Sequence, residues 1–292
     1  MNKLNVIPNS ELILNDDGSI YHLKLKPEDV ADDIIVVGDQ DRVEMISRHF
    51  DSIVVKKQNR EFVTHSGYIG NKFLTVLSTG IGTDNIDIVI NELDAVVNID
   101  LDKRIEKDAK RKLNIIRLGT SGGLHPSVSL DSFMVSEYAV GLDGLLHFYN
   151  WDPTDIEKAL QDSLKSHFNW PDSFSQPYVA KASENLLRVF EDSPRGITLT
   201  APGFYAPQGR QLRLKPALTN LHQSIEAFSW QGRNLTNFEM ESAAIQGLGK
   251  LLNHECLTIC AIIANRATGE FSKDHSLTVE KLIEYVISKL TA

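Results

Sequence analysis

Cysteine is scarce in this sequence, positive charge is outnumbered, and long apolar runs are missing. Each shortage removes a class of protein. The two cysteines, Cys256 and Cys260, lie four apart in the apolar run Cys256-Leu-Thr-Ile-Cys260, with no third Cys in the chain. On a strand they face one side as two buried, reduced thiols, which implies neither a disulfide nor a metal site. Lys and Arg number 30 against 39 Asp and Glu, a formal net charge of −9. A nucleic-acid backbone requires clustered cations to displace its counterions, so no nucleic-acid partner is expected. No window reaches the ~18 consecutive apolar residues of a membrane span. The stretch from Met1 to Ile20 also lacks the charged-then-apolar build of a secretion signal. The expected location is therefore the cytoplasm, with no membrane partner.

What is present is an ordinary globular composition, 42% apolar and 24% charged over 292 residues. Three short runs predict buried strands: Ile34–Val37, Phe73–Leu77 and Ile115–Leu118. After the first, Asp41-Arg-Val-Glu44 has the form of a capping box opening a helix. Behind Asp84, the positions Ile86, Val89, Ile90, Leu93, Val96 and Val97 make a helical stripe. Ser52 to Gly70 alternates and breaks at Ser66-Gly67, which predicts a hairpin. Leu257 to Ala264 predicts a further strand, and Val279 to Leu290 an amphipathic terminal helix. The expected class is α/β, one domain over 1–292 with a mixed central sheet flanked by helices. The charge-dense stretch Asp100 to Lys112 predicts a solvated excursion.

The strand ends carry glycines beside arginines: Gly38-Asp-Gln-Asp-Arg42, Ser78-Thr-Gly-Ile-Gly82 and Arg117-Leu-Gly-Thr-Ser-Gly-Gly123. In open α/β sheets ligands sit off the carboxyl ends of strands, where glycine lets backbone N–H groups approach an anion and Arg supplies the counter-charge. Arg117 stands inside an apolar strand just before a Gly-Thr-Ser-Gly turn, so it is either paired in a salt bridge or bound to an oxyanion. A dinucleotide fingerprint fails at Gly80-Ile-Gly82, because Asn85 stands where a third glycine is needed and no acidic residue ends a following strand at the right distance. No P-loop is present.

Nine ordered blocks resemble the uridine phosphorylases of the nucleoside phosphorylase I family over nearly the whole chain. They are Tyr21-His-Leu23, Gly38-Asp-Gln-Asp-Arg-Val43, Arg60-Glu-Phe62, Ser78-Thr-Gly-Ile-Gly82, Arg117-Leu-Gly-Thr-Ser-Gly-Gly123, Leu142-Asp-Gly144 with Leu146-His-Phe148, Phe204-Tyr205 with Gln208-Gly-Arg210, Phe238-Glu-Met-Glu-Ser242 and Asn265-Arg266. The resemblance implies phosphorolysis of a pyrimidine ribonucleoside, uridine foremost, to free base and ribose 1-phosphate. It places Gly38, Arg42, Arg117 and Thr120 on phosphate, with Arg60 reaching over from a neighbouring subunit; three guanidiniums can clamp one dianion. It gives the ribose to Thr120, Met240 and Glu241, with His22 of the partner subunit near the 5′-hydroxyl. Phe204, Gln208 and Arg210 are implied to hold the base, joined by Glu239 and Arg266. A Gln beside an Arg supplies the acceptor and donors that match the carbonyl, N–H, carbonyl edge of uracil. Purine-cleaving relatives place an Asp after the late strand, where this chain reads Ala264-Asn265-Arg266.

Glu239-Met-Glu241 is expected to begin a helix, whose geometry admits only one of the two carboxylates to a pocket. The catalytic residues implied are Arg117, Glu241 and Arg210. Attack at C1′ through an oxocarbenium-like state requires no cofactor and no covalent nucleophile. The resemblance further implies a homo-oligomer with shared sites, either a dimer or a hexamer of dimers. Two features depart from the pattern, an N-terminal extension (1–19) and the charged insertion (about 98–113). Glu61 and Ile81 match a monovalent-cation site of some members, but Asn85 replaces its Ser, so no metal is expected. The alternatives are a purine nucleoside phosphorylase or nucleosidase on the same fold, and a non-catalytic nucleoside-binding protein.

Overall fold

The computed structural model describes residues 6–292. The first strand, β1 (Asp33–Val37), is buried at every position, because its alternating side chains meet helices on both faces. Ile34 and Val36 pack with Ile86, Val89 and Leu93, whereas Ile35 and Val37 pack with Val43, Ile46 and Leu282. A strand covered on both sides has no polar face to alternate with, which is why the run reads as continuously apolar. Each such side chain contributes roughly 1.5–3 kcal/mol by leaving water.

Along the chain follow α1 (Asp41–Ser47), β2 (Ser52–Asn59), β3 (Phe62–Ile69), β4 (Lys72–Ser78), α2 (Thr83–Asn98), β5 (Ile99–Asp100), β6 (Ile105–Glu106), β7 (Asn114–Gly123) and β8 (Phe133–Gly141). Then come α3 (Asp155–Phe168), β9 (Tyr178–Lys181), α4 (Glu184–Val189), β10 (Arg195–Thr200), α5 (Leu221–Ala227) and β11 (Ser229–Trp230). The chain ends with β12 (Arg233–Glu239), α6 (Ser242–Leu251), β13 (Glu255–Asn265), β14 (Glu270–Phe271) and α7 (His275–Thr291). The main sheet runs β11-β12-β10-β8-β13-β7-β1-β4-β3-β2, with β9 on β8 and β14 on β13. Its pairings are mixed: β1 is parallel to β4 and β7, while β13 is antiparallel to β8. The α/β class and mixed sheet are as expected.

One pairing bends this sheet into the shape that holds the site. The end of β7 also pairs with β12, Gly122 opposite Phe238 and Gly123 opposite Asn237, which closes β12, β10, β8, β13 and β7 into a ring. Glycines at this seam let two strands meet β7 at once without side chains colliding. Gly122 and Gly123 therefore lie in strand, and the expected Gly-Thr-Ser-Gly turn is instead the last stretch of β7.

Other local expectations are corrected. The 52–70 hairpin exists, but it turns at Arg60-Glu61, with Arg60 at φ +53°, and Ser66-Gly67 lies inside β3. Helix α1 has no capping box: Gln40 is its N-cap without a side-chain bond. Glu239 ends β12 and Glu241 precedes α6, so neither is inside the helix. The charged insertion is not merely solvated. Its Arg104 donates to the backbone carbonyls of Ile7, Pro8 and Leu12, and the Ile7 N–H returns a bond of 2.8 Å to Arg104. The two departures from the family pattern thus clasp each other; residues 1–5 of the extension lie outside the described residues.

Candidate active site

A cavity of about 780 Å³ opens off the carboxyl ends of β1, β4, β7, β12 and β13. Such ends converge backbone N–H groups and loop side chains, which is why ligands sit there. Gly38, Arg42, Arg117 and Thr120 line it, together with Met240 and Glu241, and with Phe204, Gln208 and Arg210.

Arg117 is almost wholly buried at 5% exposure. Its Nη1 lies 3.2 Å from Glu239 Oε2, and its Nη2 is bonded to Glu241 Oε2. Nη1 also reaches Cys260 Sγ at 3.6 Å, while Nε has no partner. Burial opposes the charge on Arg117, but the two glutamates outweigh it and hold the guanidinium above its ordinary pKa. The salt-bridge alternative for Arg117 is therefore realised, in a place that still faces the cavity. For Arg42, burial and the nearby Arg117 push the pKa down. A cation depressed by a neighbouring cation marks a place where an anion is favoured.

Glu239 and Glu241 both line the cavity, contrary to the expectation that only one can. Glu239 Oε1 accepts from Thr200 Oγ1 at 2.6 Å, and Oε2 accepts the N–H groups of Glu241 and Ser242 at 2.9 Å each. It thus serves the free N–H groups at the start of α6. Glu241 Oε1 accepts the N–H of Gly82 at 2.8 Å, where φ of +99° suits glycine. Burial, with Glu239 alongside, raises the Glu241 carboxyl against the opposing pull of Arg117. Arg42, Arg117 and Arg210 share the cavity lining with Asp39, Asp41, Glu61, Glu239 and Glu241, so the acids outnumber the arginines.

Gln208 is buried and its Oε1 accepts from Arg210 Nη1 and Arg266 Nη2, both at 2.7 Å. Arg266 also donates to the Gln208 backbone carbonyl. Arg210 lies 3.6 Å over the Phe204 ring and donates to the Phe204 carbonyl at 2.6 Å. Burial and the nearby Arg210 push Arg266 down to about 10. The amide N–H groups of Gln208 remain for a ligand, whereas its acceptor is already engaged by two guanidiniums.

Three expected site residues, Arg266, Arg60 and His22, do not line this cavity, and Arg266 meets it only through Gln208. Arg60 is exposed at the tip of the β2–β3 hairpin. His22 is half-buried, with Nδ1 2.6 Å from Glu92 Oε1. Reading of the sequence missed three contributors: Gly82 on Glu241, Thr200 on Glu239, and Gly119, whose bare α-carbon leaves room for the Arg117 guanidinium. Only the glycines carried a signal, since both stand in the glycine-rich blocks Ser78–Gly82 and Arg117–Gly123. Cys256 and Cys260 are free and buried as expected. Burial pushes Cys260 up to about 11 and Cys256 further. Among the described residues no His, Cys, Asp or Glu cluster is arranged to hold a metal, and no helix is long and apolar enough to cross a membrane.

Comparison with known proteins follows the same outline. Residues 32–291 match the family described as the phosphorylase superfamily. The uridine phosphorylase of Thermococcus kodakarensis is 29% identical, over 88% of this chain and 82% of that one. The uridine phosphorylase of Haemophilus influenzae is 26% identical, over 94% of this chain and 98% of its own. Among solved structures, a nucleoside phosphorylase of Trypanosoma brucei, described as showing uridine phosphorylase activity, superposes with a TM-score of 0.87. It is 26% identical, with 96% of this chain and 99% of that one covered.

Proposed function

The chain belongs to the phosphorylase superfamily, and from that premise we propose that it cleaves uridine with inorganic phosphate to uracil and ribose 1-phosphate. The observation that carries the reading is one cavity whose lining joins two neighbouring arginines, a buried carboxylate and an amide flanked by guanidiniums. Those three chemistries suit an oxyanion, a diol and the carbonyl edge of a pyrimidine in that order.

In this reading Gly38, Arg42, Arg117 and Thr120 bind phosphate, and Glu241, Thr120 and Met240 hold the ribose. A phosphate oxygen bonds to C1′ as the bond from C1′ to the base nitrogen breaks, and the electron pair passes to the uracil carbonyls. Arg210 stabilises that charge, Gln208 and Arg266 align the ring, Phe204 stacks on it, Glu239 forms the wall, and the base takes a proton from water. Fixed charges and positioning lower the barrier without a covalent intermediate. Because the acids lining the cavity outnumber its arginines, a phosphate dianion lacks net counter-charge from one chain. A further cation is required, and Arg60 of a second copy supplies it, with His22 from that copy at the 5′-hydroxyl. The protein therefore acts as a homo-oligomer.

Base release from uridine, deoxyuridine, thymidine and inosine, each with and without phosphate, tests this. Phosphate-dependent uracil release with inosine inert is the expected result. Equal release without phosphate indicates a hydrolase and overturns the proposal, as does a preference for inosine.

A further inference from the structure

His22 and Arg60 are separated by 38 positions of sequence yet are joined by a single side chain. Asn59, the last residue of β2, donates from Nδ2 to the His22 carbonyl at 2.8 Å and is bonded covalently to Arg60. From the other side, Glu92 on α2 directs both carboxylate oxygens at the same segment. It accepts the N–H of His22 at 3.0 and 3.1 Å, the N–H of Leu23 at 2.9 Å, and faces His22 Nδ1 at 2.6 Å. The rings of Tyr21 and Phe62 stand edge-on to the imidazole at 4.8 and 6.4 Å. Neither His22 nor Arg60 lines the cavity of its own chain.

A carboxylate can only accept, so the nitrogen that faces Glu92 must carry the proton. That assigns the tautomer of the neutral ring: Nδ1 is N–H, and Nε2 is left with a free lone pair. We infer that Glu92 and Asn59 are positioning residues that hold His22 and Arg60 as one preassembled unit, with the His22 tautomer set by Glu92. The inference rests on the reading that His22 and Arg60 complete the site of a second copy. The unit is built from α2, the N-terminal segment and the β2–β3 hairpin, so a contact made by either residue is stiffened by the other. Without Glu92, one bond from Asn59 would remain to orient a half-buried ring on a loop.

The test uses the full-length protein and two substrates that differ by one hydroxyl, uridine and 5′-deoxyuridine. Glu92→Leu removes every acceptor that fixes the ring. It is expected to lower the ratio of kcat/KM between the two substrates by about fivefold to tenfold, the worth of one oriented hydrogen bond. Glu92→Gln keeps an acceptor for the backbone N–H groups but turns an amide N–H towards Nδ1. The ratio should stay within about twofold of wild type, since a hydroxyl both donates and accepts. In that variant nitrogen NMR of labelled His22 should show the proton moved to Nε2. Asn59→Leu should raise the phosphate KM about fivefold with the His22 spectrum unchanged.

A folded Glu92→Leu enzyme with the wild-type ratio overturns the inference, as does a Glu92→Gln enzyme whose His22 keeps its proton on Nδ1. If Glu92→Leu does not fold, the Glu92→Gln spectrum alone decides. His22→Ala tests the underlying reading separately: an unchanged ratio there removes His22 from the 5′-hydroxyl, whatever Glu92 does to the ring.

Discussion

Adding one methyl group at Gly119 should disable the phosphate site while leaving the fold in place. Gly119 is buried in β7, opposite Cys260 of β13. A β-carbon there would lie 2.1 Å from Arg117 Nη1, 3.0 Å from Arg117 Cζ and 2.8 Å from Cys260 Sγ. The backbone at Gly119 is not in the left-handed region, so alanine meets no conformational objection. The guanidinium, at the end of a flexible side chain, is what must move. Moving it weakens its contacts with Glu239 and Glu241, each a charge-assisted bond worth about 1.5–3 kcal/mol. Loss of one such contact from the transition state corresponds to roughly 10- to 100-fold in kcat/KM for phosphate. Overpacking should cost about 1–3 kcal/mol of stability, measurable as a lower urea midpoint. Uracil release across a phosphate titration, with urea unfolding in parallel, provides both readings. Turnover and phosphate KM within twofold of wild type, at unaltered stability, would show that Arg117 is not packed as described.

Truncating Gln208 or Arg210 should lower turnover more than it raises the phosphate KM, by about 1–3 kcal/mol for Gln208 and more for Arg210, which faces developing charge. Steady-state kinetics of Gln208→Ala and Arg210→Ala check it, and unchanged kcat in both counts against base reading. Mixing inactive Arg60→Ala with inactive Arg117→Ala subunits should regain some activity, because some hybrid sites receive both native arginines. No recovery after verified exchange contradicts a shared site. For Glu157, burial pushes the carboxyl up, but bonds from Lys250 and Thr154 and the Lys181 N–H outweigh it and hold it below its ordinary value of 4.5. A depressed folded pKa means a stability contribution present above that value and lost as pH falls through the folded pKa. Glu157→Gln should therefore lower the urea midpoint near neutrality and shrink its decline below about pH 4.5, and an identical acid limb would refute the assignment. Cys256 and Cys260 should resist thiol reagents at pH 8 until the chain unfolds, since burial keeps both protonated.

What was legible in the sequence depended on whether one element carried its own signal. Strand β1 and helices α2 and α7 announced themselves through a continuous apolar run or a 3.6-residue stripe, because each buries the side chains that pattern predicts. The end of β7 did not. Glycine-rich segments favour turns by local propensity, and it is long-range pairing, with β12 on one side and β13 on the other, that makes Gly122 and Gly123 strand. The same closure brings Glu239 and Glu241 to one cavity, where an isolated helix would have sent them to opposite sides. Residue types in the candidate site were legible, but their mutual commitments were not. Arg117 on two glutamates, Gln208 under two arginines and His22 on Glu92 join residues 70 to 124 positions apart, except for Gln208 with Arg210 and Arg266. No spacing in the chain encodes such pairs.

Whether phosphate attacks C1′ is decided by the fate of the sugar. Incubating the enzyme with uridine and phosphate and following phosphorus by NMR should show ribose 1-phosphate appearing in step with uracil, one for one, and no product without phosphate. Free ribose accompanying the uracil would contradict the account, because water would then be the nucleophile and the two neighbouring arginines would have another purpose.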